Sequence, residues 1–138
     1  MPTRETARIV IGQSTSDHVI IDRVSAPNTE GWFGASVSVQ CAVWSGKLRA
    51  VFMAGELRRF GAGIEKLYLE LKGKAELRPM DGYLEMTFEG DGRGHVLVKG
   101  TACHQNGGGT RLEFEIELDQ TQLPSIAKAL IQAEPEIR

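Results

Sequence analysis

Three histidines and two cysteines are the residues of this sequence best suited to catalysis or metal binding. Cys103 and His104 are adjacent, but neighbouring side chains on a strand point to opposite faces, so adjacency argues against a nucleophile–base pair. Cys41 lies among alternating apolar residues and is interpreted as a small core residue. Neither His18 nor His95 begins the HxxxH or HExxH spacing of common metal sites, and no CxxC is present. We therefore predict no catalytic and no metal-binding residue.

A glycine-rich run is the second feature that suggests chemistry. Gly90-x-Gly92 has the first spacing of a dinucleotide-binding loop, in which glycines lead from a strand into a helix. His95 occupies the position of the last required glycine, and strand-like residues 96–98 follow it. The run therefore predicts a turn, and no cofactor-binding residue is predicted.

A row of glutamates near the C-terminus is the third feature. Glu113, Glu115 and Glu117 alternate with apolar residues, so they form one row with about 7 Å between successive residues. General acid–base catalysis by two carboxyl groups requires that one pKa is raised and the other lowered. No residue adjacent to this row would produce such a difference. The row is therefore either a solvated face with cross-strand Lys or Arg partners, or a binding surface.

The charge distribution bears on that choice. The net charge is −2, so no bulk positive charge favours nucleic acid or a membrane surface as the partner. Residues 44–74 hold seven basic and three acidic residues, whereas residues 83–119 hold seven acidic and three basic ones. If the acidic strands are neighbours, their carboxylates form one face that attracts a basic partner. If the basic segment folds against them, the ion pairs are internal.

Two tryptophans complete the candidate binding residues. Trp32 and Trp44 have even numbers, like the polar residues of the long strand around 33–43, and we expect both on its polar face. Exposed tryptophans are frequent anchors in interfaces, although a neighbouring segment that covers them is the alternative. The candidate partner-binding residues are Glu85, Glu89, Glu113, Glu115, Glu117, Trp32 and Trp44.

Alternation with period two predicts about eight strands. They are expected at residues 7–12, 18–24, 33–43, 48–52, 72–79, 83–89, 95–103 and 111–118. Turns are expected at Ser45-Gly46, at Asp81-Gly82, over residues 90–94 and over residues 106–109.

Two segments change to helical periodicity. The first, of about 15 residues, has apolar residues at positions 57, 60, 64, 67 and 71. Gly61 and Gly63 cost it about 1 kcal/mol each, so they either allow close packing on the sheet or mark a kink. The second has apolar residues between Leu123 and Ile131. Its expected boundaries are Asp119 or Thr121 as N-cap, Pro124 near the first turn and Pro135 after the end.

These elements predict an α+β fold in one domain, residues 1–138. We expect a mostly antiparallel, curved sheet of about eight strands, with both helices packed on its apolar face. The N-terminus lacks the apolar region of a signal peptide, and no apolar run approaches the roughly 20 residues that span a bilayer. Cys41 and Cys103 lie 62 positions apart without a paired motif, which favours reduced thiols and a cytoplasmic location.

Several segments between Trp32 and Ile131 together resemble one protein family. They are Glu56-Leu57-x-x-Phe60 with Leu67-x-x-x-Leu71, then Gly73-x-Ala75, Gly94-x-Val96-x-Val98-x-Gly100, and Leu112-x-Phe114-x-Ile116-x-Leu118-Asp119-Gln120-Thr121-x-Leu123. The chain resembles the WapI-type immunity proteins of bacterial polymorphic-toxin systems. Gly61 and Gly63 depart from the smoother helix expected there.

The resemblance implies a small cytoplasmic protein that binds and blocks a cognate toxin domain, often a nuclease, without catalytic machinery. Because nuclease domains present basic clefts, an acidic face would suit such a partner. An alternative is a small-molecule binding protein or enzyme with a pocket between sheet and helices near His95 or His104. A third is a scaffold or oligomer-forming module. Strand order, oligomeric state and the toxin's identity stay open.

Overall fold

The chain folds into strands and helices that repeat one order twice: four strands, then a helix. A computed structural model describes residues 7–13, 15–23, 25–105 and 108–134. The elements in it are β1 (Arg8–Gly12), β2 (His18–Arg23), β3 (Trp32–Cys41), β4 (Trp44–Met53), α1 (Glu56–Glu70), β5 (Lys72–Leu77), β6 (Leu84–Asp91), β7 (His95–Gln105), β8 (Gly108–Asp119), one 3-10 turn (Gln120–Gln122) and α2 (Leu123–Gln132).

The strands form two antiparallel sheets, in the orders β1-β2-β3-β4 and β5-β6-β7-β8. Each strand therefore pairs with its neighbour in sequence, and α1 connects the two sheets. The predicted α+β class, antiparallel pairing and number of strands are confirmed. The strand order, which the sequence left open, is that of two meanders.

One buried apolar cluster includes side chains from both sheets and both helices. Alternation places every second residue of β3 in it, from Phe33 to Val39. Phe60 of α1 meets Phe88 of β6 edge to face, with ring centroids 5.3 Å apart. Burial of each such large side chain stabilises the fold by about 1.5–3 kcal/mol.

The turn between β3 and β4 differs from the prediction. Ser45 and Gly46 lie within β4, opposite Gln40 and Val39, and the turn is at residues 42–43. Ala42 adopts a φ of 56°, and its N–H donates to Asp17 Oδ1 at 3.0 Å. A two-residue hairpin loop needs positive φ. Here the hydrogen bond to Asp17, which lies in the turn between β1 and β2, stabilises that conformation of Ala42. Val43, the last residue of the predicted strand 33–43, is 87% exposed in this turn.

The two glycines of α1 lie within one unbroken helix, and only Gly61 is closely packed. A Cβ at Gly61 would lie 2.9 Å from Ile131 Cγ1 and 3.0 Å from the Ala127 carbonyl oxygen, both in α2. A Cβ at Gly63 would meet only β5, 3.5 Å from Ala75 Cβ. Close packing is therefore the reason for Gly61, but the partner is the second helix.

The ends of both helices follow local rules. Asp119 caps the 3-10 turn that leads into α2, in a capping box with Gln122, and Pro124 lies in the first turn of α2. Leu71, expected in the apolar stripe of α1, ends that helix with a φ of 65°. Pro135 and residues 106–107 lie outside the described residues. Within the described chain, neither helix has the length and apolar character needed to cross a membrane.

Candidate functional site

Five glutamates share the outward face of the second sheet. Glu85 and Glu89 on β6, and Glu113, Glu115 and Glu117 on β8, alternate with buried residues. β7 lies between these two strands, so their carboxylates are on rows about 10 Å apart. We call these five residues the glutamate face.

Lys99 of β7 lies between the two rows of the glutamate face, and other basic residues border the face. In the described chain only one of these residues forms an ion pair with it. Arg78 Nη1 lies 3.6 Å from Glu85 Oε1. Lys99 is opposite Glu115 in the register, and Lys74 is opposite Glu89, but neither forms an ion pair within 4.0 Å among the described residues. The other basic residues of segment 44–74 are on β4, on α1 and at the start of β5.

Part of the glutamate face lines a cleft. Glu85, Glu113, Glu115 and Lys99 line this open cleft of about 640 Å³, together with Cys41 of the first sheet. The Cys41 thiol donates to the Glu115 carbonyl oxygen at 3.3 Å, so the first sheet closes one side of the cleft. A concave, charged surface of this size suits a protruding group of a partner.

His95 lies in a second depression of about 470 Å³, together with Glu89, Asp91 and Glu117. The Asp91 carboxylate accepts from the backbone N–H of Arg93 at 2.6 Å and of His95 at 3.2 Å. The hydrogen bond from Arg93 is the main reason that the pKa of Asp91 is below its ordinary value. This carboxylate holds the turn between β6 and β7. Among the described residues, no three His, Cys, Asp or Glu side chains converge as metal ligands.

The other histidines bind backbone groups close in sequence. His18 Nδ1 lies 2.7 Å from the Ser16 carbonyl oxygen, and His104 Nδ1 accepts from the Thr110 N–H at 3.0 Å. A register shift in β7 falls between Cys103 and Gln105, where Cys103 is buried and His104 exposed. Cys103 and Cys41 are both free thiols.

The tryptophans lie on opposite faces of the first sheet, so the expectation that both are on its polar face is wrong for Trp44. Trp32 is half-buried at the start of β3, on the outward face. Trp44 pairs with Cys41 and shares the inward face of β4, because the chain has already turned at residues 42–43. It extends beyond the core and is 65% exposed.

Trp44 also lines an apolar cleft that the sequence did not predict. The cleft has a volume of about 420 Å³ and lies between the two sheets, where Val39 and Leu48 face Ala102 and Leu112. Lys47, His104 and Arg111 also line it, and we call it the tryptophan cleft. In the sequence, each of these apolar residues predicts a core position. The open space between them arises only from the way in which the two sheets pack.

Glu134 is a further residue that sequence reasoning missed. Its side chain is buried, and its carboxylate accepts from the backbone N–H groups of Gly55, Leu57 (2.7 Å) and Arg58 (3.3 Å). These N–H groups lie at the N-terminus of α1 and have no acceptor within the helix, and Gly55 has no side chain that could cap it. Glu134 thus caps α1 and has a structural role.

Comparison with known proteins gives one family match. The family model described as "Immunity protein WapI-like family" matches residues 17–134. No curated protein matches the sequence. A solved structure described as "Crystal structures of trypanosoma bruciei MRP1/MRP2" is similar with a TM-score of 0.49 and 14% identity, over 95% of this chain and 84% of that chain.

Proposed function

We propose that this chain, which belongs to the WapI-like immunity protein family, is a non-enzymatic inhibitor that binds and blocks a cognate toxin domain in the cytoplasm. The family suggests an immunity function, and the glutamate face is the observation that supports the proposed way of binding the toxin. Four of its five glutamates are exposed, and Glu85 is half-buried.

The partner that fits the glutamate face is a toxin domain with a basic surface. Carboxylates gathered on one face of a sheet create a negative potential that speeds association with a basic partner and orients it. A nuclease domain has such a surface, because it must bind phosphates. Blocking that surface would inhibit the toxin without any chemical step.

Co-expression with the product of the neighbouring upstream gene tests the immunity function. We expect that product alone to arrest growth, and this chain to restore growth when both are produced. The proposed function is wrong if the product is harmless alone, or if it stays toxic when this chain is present at an equal or higher level.

Charge reversal tests the glutamate face within that function. We expect Glu113→Lys, Glu115→Lys and Glu117→Lys together to weaken binding of the toxin domain at least tenfold, and to flatten the salt dependence of its affinity. The matched control carries the same three charge changes at Glu30, Glu65 and Glu70, which are exposed outside the second sheet. Equal affinities of the two triple variants would exclude the glutamate face as the binding surface.

A further inference from the structure

The tryptophan cleft has the composition of an anchoring site. Its walls are mostly apolar, yet Trp44 is 65% exposed at its mouth and the adjacent Val43 is 87% exposed. Large apolar side chains left in water beside an apolar cleft mark a surface that another molecule covers. Tryptophan and arginine, both present here, are enriched among the residues that dominate binding energy.

The charges of the tryptophan cleft are opposite to those of the glutamate face. Lys47 and Arg111 line it, and no acidic residue is among its described lining residues. His104 also lines the cleft, and the Thr110 N–H donates to its Nδ1 at 3.0 Å. An occupant with an apolar side chain beside a carboxylate would complement these groups.

Strand β8 connects the two surfaces. Arg111 follows the same alternation as Glu113, Glu115 and Glu117, but it also lines the tryptophan cleft. Arg111 and Glu117 are six positions apart along the strand, which is about 20 Å. A standard interface covers about 800 Å² on each partner, which is a patch about 30 Å across, so one partner can cover both surfaces.

We propose that the tryptophan cleft is a second anchoring site for the same toxin domain. It takes a segment of that domain in which an apolar side chain stands beside an acidic one. This inference rests on the proposed function. It adds that the partner is bound at two points of opposite charge, which a uniformly basic partner surface would not satisfy.

The test is the affinity of purified full-length variants for the purified upstream-encoded toxin domain, measured by titration calorimetry. We expect Trp44→Ala to weaken binding at least tenfold. The control Leu69→Ala removes a large apolar side chain that is 79% exposed on α1, and it should bind like the wild type. Equal binding of the two variants would overturn the proposal.

Reversal of the cleft's charges is the sharper test. Lys47→Glu with Arg111→Glu should weaken binding about tenfold, whereas a partner surface that is basic throughout would bind this variant more tightly. The control pair is Lys66→Glu with Lys128→Glu, at exposed positions on the two helices. Unchanged or tighter binding of the cleft variant overturns the second anchor and leaves the proposed function standing. A domain that fails to bind even the wild type removes the proposed function, and this inference with it.

Discussion

At the scale of single residues, Glu134 links the end of α2 to the start of α1. Its carboxylate accepts from backbone N–H groups of α1, and the Arg58 guanidinium donates to the carbonyl oxygens of Glu134 and Ile131. These bonds satisfy donors at one helix terminus and acceptors at the other. The contact joins residues 77 positions apart, so no local pattern in the sequence could indicate it.

Replacement of this carboxylate should destabilise the fold. We expect Glu134→Gln to lower the free energy of unfolding by about 1–3 kcal/mol, because a charged acceptor of several N–H groups becomes a neutral one. Urea denaturation measures the change. The control, Glu65→Gln on the exposed side of α1, should stay within about 0.5 kcal/mol of the wild type. A Glu134→Gln variant as stable as the control would show that the cap contributes little.

At the scale of elements, the two glycines of α1 should respond oppositely to the same substitution. Gly61→Ala gains about 1 kcal/mol of helix propensity, but it places a methyl group against Ile131 and the Ala127 carbonyl oxygen of α2, and such overpacking typically costs about 1–3 kcal/mol. We expect a net loss of stability, because a backbone carbonyl cannot move aside as a flexible side chain can. Gly63→Ala makes an ordinary contact with Ala75 and gains about 1 kcal/mol of helix propensity. Thermal or urea unfolding should therefore rank Gly63→Ala above the wild type and Gly61→Ala below it. The reverse order would contradict the close approach of the helices.

The elements also show where sequence patterns are sufficient and where they fail. Alternation and helical periodicity are local, so both helices and all eight strands could be predicted. The turn after β3 could not, because a non-glycine residue, Ala42, takes positive φ with help from Asp17 of another hairpin. That error also placed Trp44 on the wrong face, and it concealed the tryptophan cleft. The glutamate rows were predictable for each strand, but their common face needed the order of β6, β7 and β8.

At the scale of the whole molecule, each helix packs against the sheet of the other half. α1 follows the first sheet and packs on β5, whereas α2 follows the second sheet and packs on β1. The two helices also pack against each other at Gly61. Neither half therefore buries its apolar surface alone, although each has the same order of four strands and a helix. This exchange of helices is the physical reason to expect one domain.

Two spectroscopic probes can test that expectation, because Trp32 and Trp44 are the only tryptophans and both lie in the first sheet. Trp44 also lines the cleft between the two sheets, so the fluorescence is measured on a Trp44→Phe variant. Trp32 then reports the unfolding of the first half, while far-ultraviolet circular dichroism reports both halves. If the exchanged helices couple the sheets, the two urea transitions have the same midpoint and slope. A fluorescence transition at clearly lower or higher urea would mean that the halves unfold separately, and that α1 and α2 contribute less to their partner sheets than their burial indicates.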